Sequence, residues 1–223
     1  MTCTRAWVLL PSGRRLNPLD PYPDPDAWTD GDLAIGLSRT YRWAEYSAWD
    51  LPLSVAQHSR TGLALATRFP GPVLSPAERL RELLHDATEA LLGGWDPITP
   101  LKPHLGDGYR VLVAKHQAAV DRRYGLTVWD DVSYRRHKQA DALAAASEAV
   151  HVAGWSREAL RDDLEITIAP LTADPLAPTH GRRPWEPWPP IYAAGRFPRE
   201  LRVLQTEAAA ASRQPTSTGR EAA

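Results

Sequence analysis

A single cysteine, Cys3, stands near the start of this 223-residue chain. One thiol can build neither a disulfide framework nor a thiolate metal site, so both are excluded. Charge of one sign is also lacking. The 26 Lys and Arg against 27 Asp and Glu leave a formal net charge of -1, with a pI of about 6.7. Binding a nucleic-acid polymer by bulk electrostatics needs a positive excess, which excludes that class but not a local basic pocket for one phosphate. No apolar run approaches the ~20 residues of a membrane-spanning helix. The opening MTCTRAWVLLPSGRR has no basic stretch before its apolar run, which is itself too short for a signal peptide. These absences predict a protein of the reducing cytoplasm with no membrane partner.

A sizeable apolar core is present. Hydrophobic residues make up 43% of the chain, punctuated by 21 prolines and nine tryptophans. The length suits one domain with appendages. Within residues 1–28, RAWVLLPSGRRLNP reads as a hairpin turned at PSG, followed by a proline-punctuated, extended lead-in. Residues 29–169 carry the main domain. Thr29 or Asp30 caps a first helix through DLAIGLSRTYRW, and a second covers Leu53 to Phe69. A third opens with Ser75 as N-cap, Pro76 at N1 and Glu78 at N3, a capping box. It is predicted to run unbroken through RLRELLHDATEALL to Gly93-Gly94, with Leu80, Leu83, Leu84, Ala87 and Leu91 as its apolar stripe. After the loop WDPITPLKPHLGDG come helices in YRVLVAKHQAAVDRRYG, stopped by Gly125, in SYRRHKQADALAAASEAVHVAG, stopped by Gly154, and in SREALRDDLEI behind Ser156. Residues 170–212 read as an irregular Pro/Trp-rich strap and a last helix, PRELRVLQTEAAAA, packed on the domain. Residues 213–223 hold too little apolar surface to order themselves. The predicted fold class is all-α with a small N-terminal β-hairpin.

Three ionisable groups, His85, Asp86 and Glu89, interrupt the leucine-rich stretch LLHDATEALLGG. Burying them unpaired would cost several kcal/mol, so they face water or hold something. On a continuous helix His85 and Glu89 are i and i+4, and Asp86 and Glu89 are i and i+3. His85 and Asp86 lie about 100° apart and can both reach one point off the helix edge. That is half of a metal site. His58, mid-helix in SVAQHSR, and Asp141, in KQADALAAASEA with no further acid until Glu148, are candidates for the other half. Two imidazoles and two carboxylates suit a borderline divalent ion such as manganese, cobalt, nickel, iron or zinc.

The words SVAQHS, LLHDATEA, PLK and KQAD, in that order, resemble the HD-domain phosphohydrolase superfamily, and within it the branch near bacterial 5'-deoxynucleotidases. The lead-in GRRLNPLDPYPDPDAWTDGDLAIGLSRTYRW is similar to that of bacterial and phage hydrolases of this branch, and the resemblance covers about Ser12 to Ala153. It implies an HD-domain helical bundle in which His58, His85, Asp86 and Asp141 bind one divalent metal (Mn, Co, Ni, Fe, Zn or Mg). It implies that Glu89, beside Asp86, orients or deprotonates the attacking water. Arg42 and Trp43 match an arginine–aromatic pair that contacts phosphate and nucleoside, Lys102 a lysine facing the phosphate, and Asp96 an acid that checks the sugar. The implied reaction is hydrolysis of a nucleotide phosphate ester, most closely a (deoxy)nucleoside 5'-monophosphate, by a metal-activated water. The implied partners are the nucleotide and a second copy of the chain, with no nucleic-acid polymer. Two departures stand out. The loop LLGGWDPITPLK is longer than the family's usual GD turn, and RWAEYS places Glu45 and Tyr46 where a Gly-His pair is common.

The chemistry is coherent on its own terms. A bound metal lowers the pKa of its water and polarises a phosphoryl oxygen. Glu89 can accept a proton, and Arg42 and Lys102 supply preorganised positive charge. Two other readings share the scaffold: a deoxynucleoside triphosphohydrolase and a phosphodiesterase. A third, from another class, is a non-catalytic nucleotide-sensing or interaction module, against which the intact histidines and acids speak. Three residue-level expectations complete the reading. Trp43 is equally well placed as a core residue. His137 lies on the surface, its alternative being to brace Asp141 one turn on. The tryptophans of RPWEPWPP pack onto their own domain rather than serving a partner.

Overall fold

In this computed structural model, residues 5–176 and 182–213 are described. Along the chain run β1 (Val8–Leu9), β2 (Arg15–Leu16), α1 (Asp30–Arg39), α2 (Val55–Arg68), α3 (Pro76–Leu83), α4 (Ala87–Leu91), α5 (Gly106–Tyr124), α6 (Asp131–His151), α7 (Arg157–Asp162) and α8 (Pro190–Ala211). The fold is therefore mostly helical with a two-stranded antiparallel hairpin, Val8 opposite Leu16 and Leu9 opposite Arg15. No helix among the described residues is long and apolar enough to cross a membrane. The expected disordered tail lies outside the described residues from residue 214 onward, as do residues 177–181 of the strap.

Short polar side chains decide where most helices begin. Thr29 caps α1, its Oγ1 accepting from the Asp32 backbone N–H at 3.0 Å while the Asp32 carboxylate accepts from the Thr29 N–H at 2.8 Å. Ser75 and Glu78 form the equivalent box at α3, and Asp130 with Ser133 opens α6. Asp32 does a second job. Its carboxylate accepts from Ser12 N at 2.8 Å and Ser12 Oγ at 2.7 Å, which ties the hairpin turn to α1. Gly125, at φ +60°, ends α5 in the left-handed conformation that glycine adopts without steric cost.

The core lies where α1 and α3 pack on α8, with α2 wedged between α3 and α6. Trp28, Leu33, Leu37, Leu83, Leu84, Phe197, Leu201 and Leu204 fill it, each buried aliphatic or aromatic side chain being worth about 1.5–3 kcal/mol. The pairing of α1 with α4 depends on Gly36, where a Cβ would lie 2.7 Å from the Cβ of Ala90. Trp185 and Trp188 of the strap are buried as expected. Gln57 holds the strap in place, accepting from Trp188 N at 2.7 Å and donating to the Glu186 carbonyl at 3.2 Å.

Three elements depart from the sequence reading. The first helix stops at Arg39 rather than running through YRW. Thr40 turns extended, and Tyr41 forms a bridge with Ser54, flanked by Val55 N donating to Thr40 O and Arg42 N to Leu53 O, both at 2.9 Å. The last helix begins at Pro190, with Pro198 inside it. An interior proline forfeits a helix bond. The helix persists because Ala193, Phe197, Leu201 and Leu204, on one face, are all buried. The third departure bears on the site. The predicted unbroken helix through LLHDATEALL is two helices, α3 and α4, with a tightened turn over residues 84–86. His85 Nδ1 donates to the Glu82 carbonyl at 2.8 Å, taking the acceptor that the Asp86 N–H would use in a regular helix. Leu84 N is shared between the Leu80 and Arg81 carbonyls, and Glu89 N reaches Asp86 O. His85 and Asp86 thus lie in a break rather than on a helix face, and the i to i+4 relation of His85 and Glu89 does not hold.

Candidate metal centre

Four side chains from three places in the chain converge. His58 comes from α2, His85 and Asp86 from the α3–α4 turn, and Asp141 from α6. His58 Nε2 lies 3.3 Å from His85 Nε2, 3.5 Å from Asp86 Oδ2 and 3.4 Å from Asp141 Oδ1, and His85 Nε2 lies 3.1 Å from Asp86 Oδ2. The other nitrogen of each ring is already engaged. His58 Nδ1 donates to Glu148 Oε1 at 2.8 Å, and His85 Nδ1 to the Glu82 carbonyl. The Nε2 atoms therefore face each other, an arrangement that needs a cation or a proton between them. Bonds of about 2.0–2.2 Å around one ion place neighbouring ligand atoms roughly 3.0–3.5 Å apart. Three of the four residues, His58, His85 and Asp141, suit a divalent ion by spacing and donor type, and Asp86 Oδ2 lies within 3.5 Å of both histidines.

The electrostatics point the same way. Burial and Arg42 pull the His58 pKa down, yet Glu148 and Asp141 overcome them and raise it to about 10. Burial also opposes His85, which Asp86 raises to about 9. The carboxyls of Asp86, beside His85, His58 and Arg42, and of Asp141, beside His58, are held well below the usual range despite burial. The pocket thus stabilises positive charge at the point where the four groups meet.

Further charged side chains surround it. Arg42 donates from Nε to Glu148 Oε2 at 3.0 Å and from Nη1 to Asp96 Oδ2 at 3.3 Å, with Asp86 Oδ2 at 3.8 Å. Lys102 Nζ lies 3.4 Å from Glu89 Oε1 and 3.7 Å from Asp96 Oδ1. Glu89 is buried on α4, and its Oε2 has no hydrogen-bond partner among the described residues. Burial, with Asp86 and Asp96 nearby, raises its pKa well above the ordinary value. The structure brings Arg42, Asp86, Glu89, Asp96 and Lys102 into one network beside His58, His85 and Asp141.

Trp43 does not join this network. Its ring packs against the cluster of Ala146, Ala149 and Leu160, where the core alternative placed it. Trp43, Ala44 and Glu45 are three consecutive residues at φ +58°, +52° and +68°. Each left-handed non-glycine residue costs about 1–2 kcal/mol. The left-handed turn directly follows Arg42, whose side chain is mostly buried. Tyr46, one residue beyond the turn, is exposed.

His137 is neither on the surface nor a brace for Asp141. It is buried, stacked on Trp129 at 4.9 Å between ring centroids, and donates from Nδ1 to Glu82 Oε2 at 3.1 Å. It reaches Glu82 of α3 from the side of α6 that packs on α2, whereas Asp141 Oδ2 pairs with exposed Lys138 at 3.1 Å. Two buried acids escaped the sequence reading. Glu148 stands seven residues after Asp141, two turns along the same face of an alanine-rich helix, and Glu82 stands three before His85. Those spacings were the available signal.

The chain is thus a mostly helical protein with a candidate metal centre at the meeting of α2, α6 and the α3–α4 turn. No family model matches it. An uncharacterized protein of Rhodobacter capsulatus is 41% identical to it over 153 residues, 68% of this chain and 76% of that protein. The chain belongs to the same family as that protein.

Proposed function

We propose that this protein is a metal-dependent phosphohydrolase of the HD-domain superfamily that hydrolyses a nucleoside 5'-monophosphate. One observation carries the reading: His58, His85, Asp86 and Asp141 come together beside two cations, Arg42 and Lys102, and a buried carboxyl oxygen, Glu89 Oε2, without a partner among the described residues. His58, His85, Asp86 and Asp141 would hold the ion, which when bound supplies Lewis acidity toward a phosphoryl oxygen and toward water. Arg42 and Lys102 neutralise the remaining phosphoryl charge, and Asp96 holds both cations apart and in place. Glu89 Oε2 accepts a proton from the attacking water as the new P–O bond forms. It returns that proton to the 5'-oxygen as the old P–O bond breaks. The raised proton affinity of Glu89 suits a group that must both take and give a proton.

The test is phosphate release by the purified protein, loaded with Mn(II) or Co(II), from a panel of deoxynucleoside mono- and triphosphates and a phosphodiester. Turnover of a monophosphate that is abolished in Asp86→Ala and Glu89→Ala, with both variants folded, supports the reading. Turnover only on triphosphate or diester substrates moves the protein to those neighbouring activities. No turnover on any of them with either metal removes the enzyme reading.

A further inference from the structure

We propose that Glu148 is a positioning residue that sets the metal-binding and phosphate-binding halves of the site together; the phosphate half rests on the phosphohydrolase reading. Glu148 is only 1% exposed. Its two oxygens are divided between the two halves. Oε1 accepts from His58 Nδ1 at 2.8 Å, and Oε2 accepts from Arg42 Nε at 3.0 Å. Among the described residues it is the sole side chain bonded to either of those nitrogens.

Each bond has a distinct consequence. A carboxylate only accepts, so the proton of neutral His58 stays on Nδ1 and the Nε2 lone pair faces His85, Asp86 and Asp141. A hydrogen bond at Nε fixes the plane of a guanidinium. With Nε on Glu148, Nη1 of Arg42 is directed to Asp96 and Asp86 on the metal side. One ionised carboxylate, placed on α6 two turns beyond Asp141, therefore links a ligand from α2 to a cation from the left-handed turn. Burial works against its charge, and the neighbouring His58 and Arg42 hold its carboxyl below the ordinary range.

An amide cannot replace it. In Glu148→Gln one oxygen still accepts, but the NH2 group meets a second N–H donor. If the NH2 faces His58, the ring proton moves to Nε2 and blocks the ligand position. If it faces Arg42, the guanidinium loses its anchor. Residues that orient metal-binding histidines typically affect metal affinity 10–100-fold.

The experiment measures Mn(II) affinity without substrate, and inorganic phosphate affinity at saturating Mn(II), in wild type, Glu148→Gln, Glu148→Asp and Arg42→Lys, with thermal unfolding as the check on folding. Glu148→Gln should bind Mn(II) about 10–100-fold more weakly where its NH2 faces His58, or lose phosphate affinity where it faces Arg42, and a further variant, Glu148→Ala, which removes both acceptors, should weaken both. Arg42→Lys should lose phosphate affinity while keeping Mn(II). Glu148→Asp, which keeps the charge but is one methylene shorter, should restore part of the Mn(II) affinity, and it serves as the reading variant if the glutamine form does not fold. Unchanged affinity for both Mn(II) and phosphate in folded Glu148→Gln overturns the proposal, and so does a loss in folded Glu148→Ala that is confined to one of the two ligands. A wild type that binds Mn(II) but neither binds phosphate nor hydrolyses a nucleotide overturns the phosphohydrolase reading and the phosphate half, while the Mn(II) comparison still decides the role at His58.

Discussion

Replacing Arg42 by methionine should destabilise the metal-free protein by about 3 kcal/mol. The side chain of Arg42 is 13% exposed, and it neutralises three carboxylates at once: Glu148 at 3.0 Å, Asp96 at 3.3 Å and Asp86 at 3.8 Å. A unit pair at such distances is worth roughly 4–6 kcal/mol at an effective dielectric near 20, and breaking a buried pair from one side costs about 3–5 kcal/mol. The lower figure applies because Glu148 keeps His58 and Asp86 keeps His85 as partners, whereas among the described residues Asp96 keeps Lys102 alone, at 3.7 Å. Methionine preserves most of the apolar stem, which isolates the charge. For a domain of this size each kcal/mol moves Tm by about 2–4 °C, so a fall of about 6–12 °C is expected by calorimetry in the presence of a chelator. Arg161→Met, which removes an exposed pairing with Asp162, is the control and should melt with the wild type. An Arg42→Met protein melting within about 2 °C of wild type would refute the reasoning, because the three acids would then need no buried cation.

Two further outcomes follow from the same structure. Burial pushes the Asp32 carboxyl up, but the hydrogen bonds from Ser12 and Thr29 outweigh it and hold the group below the ordinary carboxylate range. A depressed folded-state pKa contributes stability above the unfolded value of about 3.9, lost as pH falls through the folded value. Unfolding free energies of wild type and Asp32→Asn from urea titrations should therefore differ by about 1–2 kcal/mol at pH 7 and converge in acid; a gap that persists at low pH contradicts this account. Mn(II) at about 100 times its Kd should stabilise the folded protein by about 2.7 kcal/mol relative to the chelator-treated form. Asp141→Ala should abolish that gain, and a wild-type Tm that ignores both chelator and metal would remove the metal centre.

The residues His58, His85, Asp86, Glu89 and Asp141 stood out in the sequence because ionisable groups at helical positions among leucines and alanines demand partners. What each partner is could not be read there. Glu148 meets His58 across 90 positions and Arg42 across 106, so its role as a shared acceptor depends on how α6 lies against α2 and against the turn after Arg42. Trp43 illustrates the opposite case. Its neighbour Arg42 enters the site, while the left-handed backbone sends the indole into the cluster beside α7.

Signals confined to about four residues were sufficient by themselves. The capping boxes of Thr29 and Ser75 and the stop at Gly125 act through hydrogen bonds and dihedral preferences that the local chain already contains. The sequence alone thus determined where most helices start and end, the hairpin, and which ionisable groups must be accounted for. Tertiary packing decided the rest. It broke the helix at residues 84–86, extended α8 through Pro198 and turned His137 inward onto Glu82. In each case burial of neighbouring apolar surface, or a buried acceptor, outweighed the local preference.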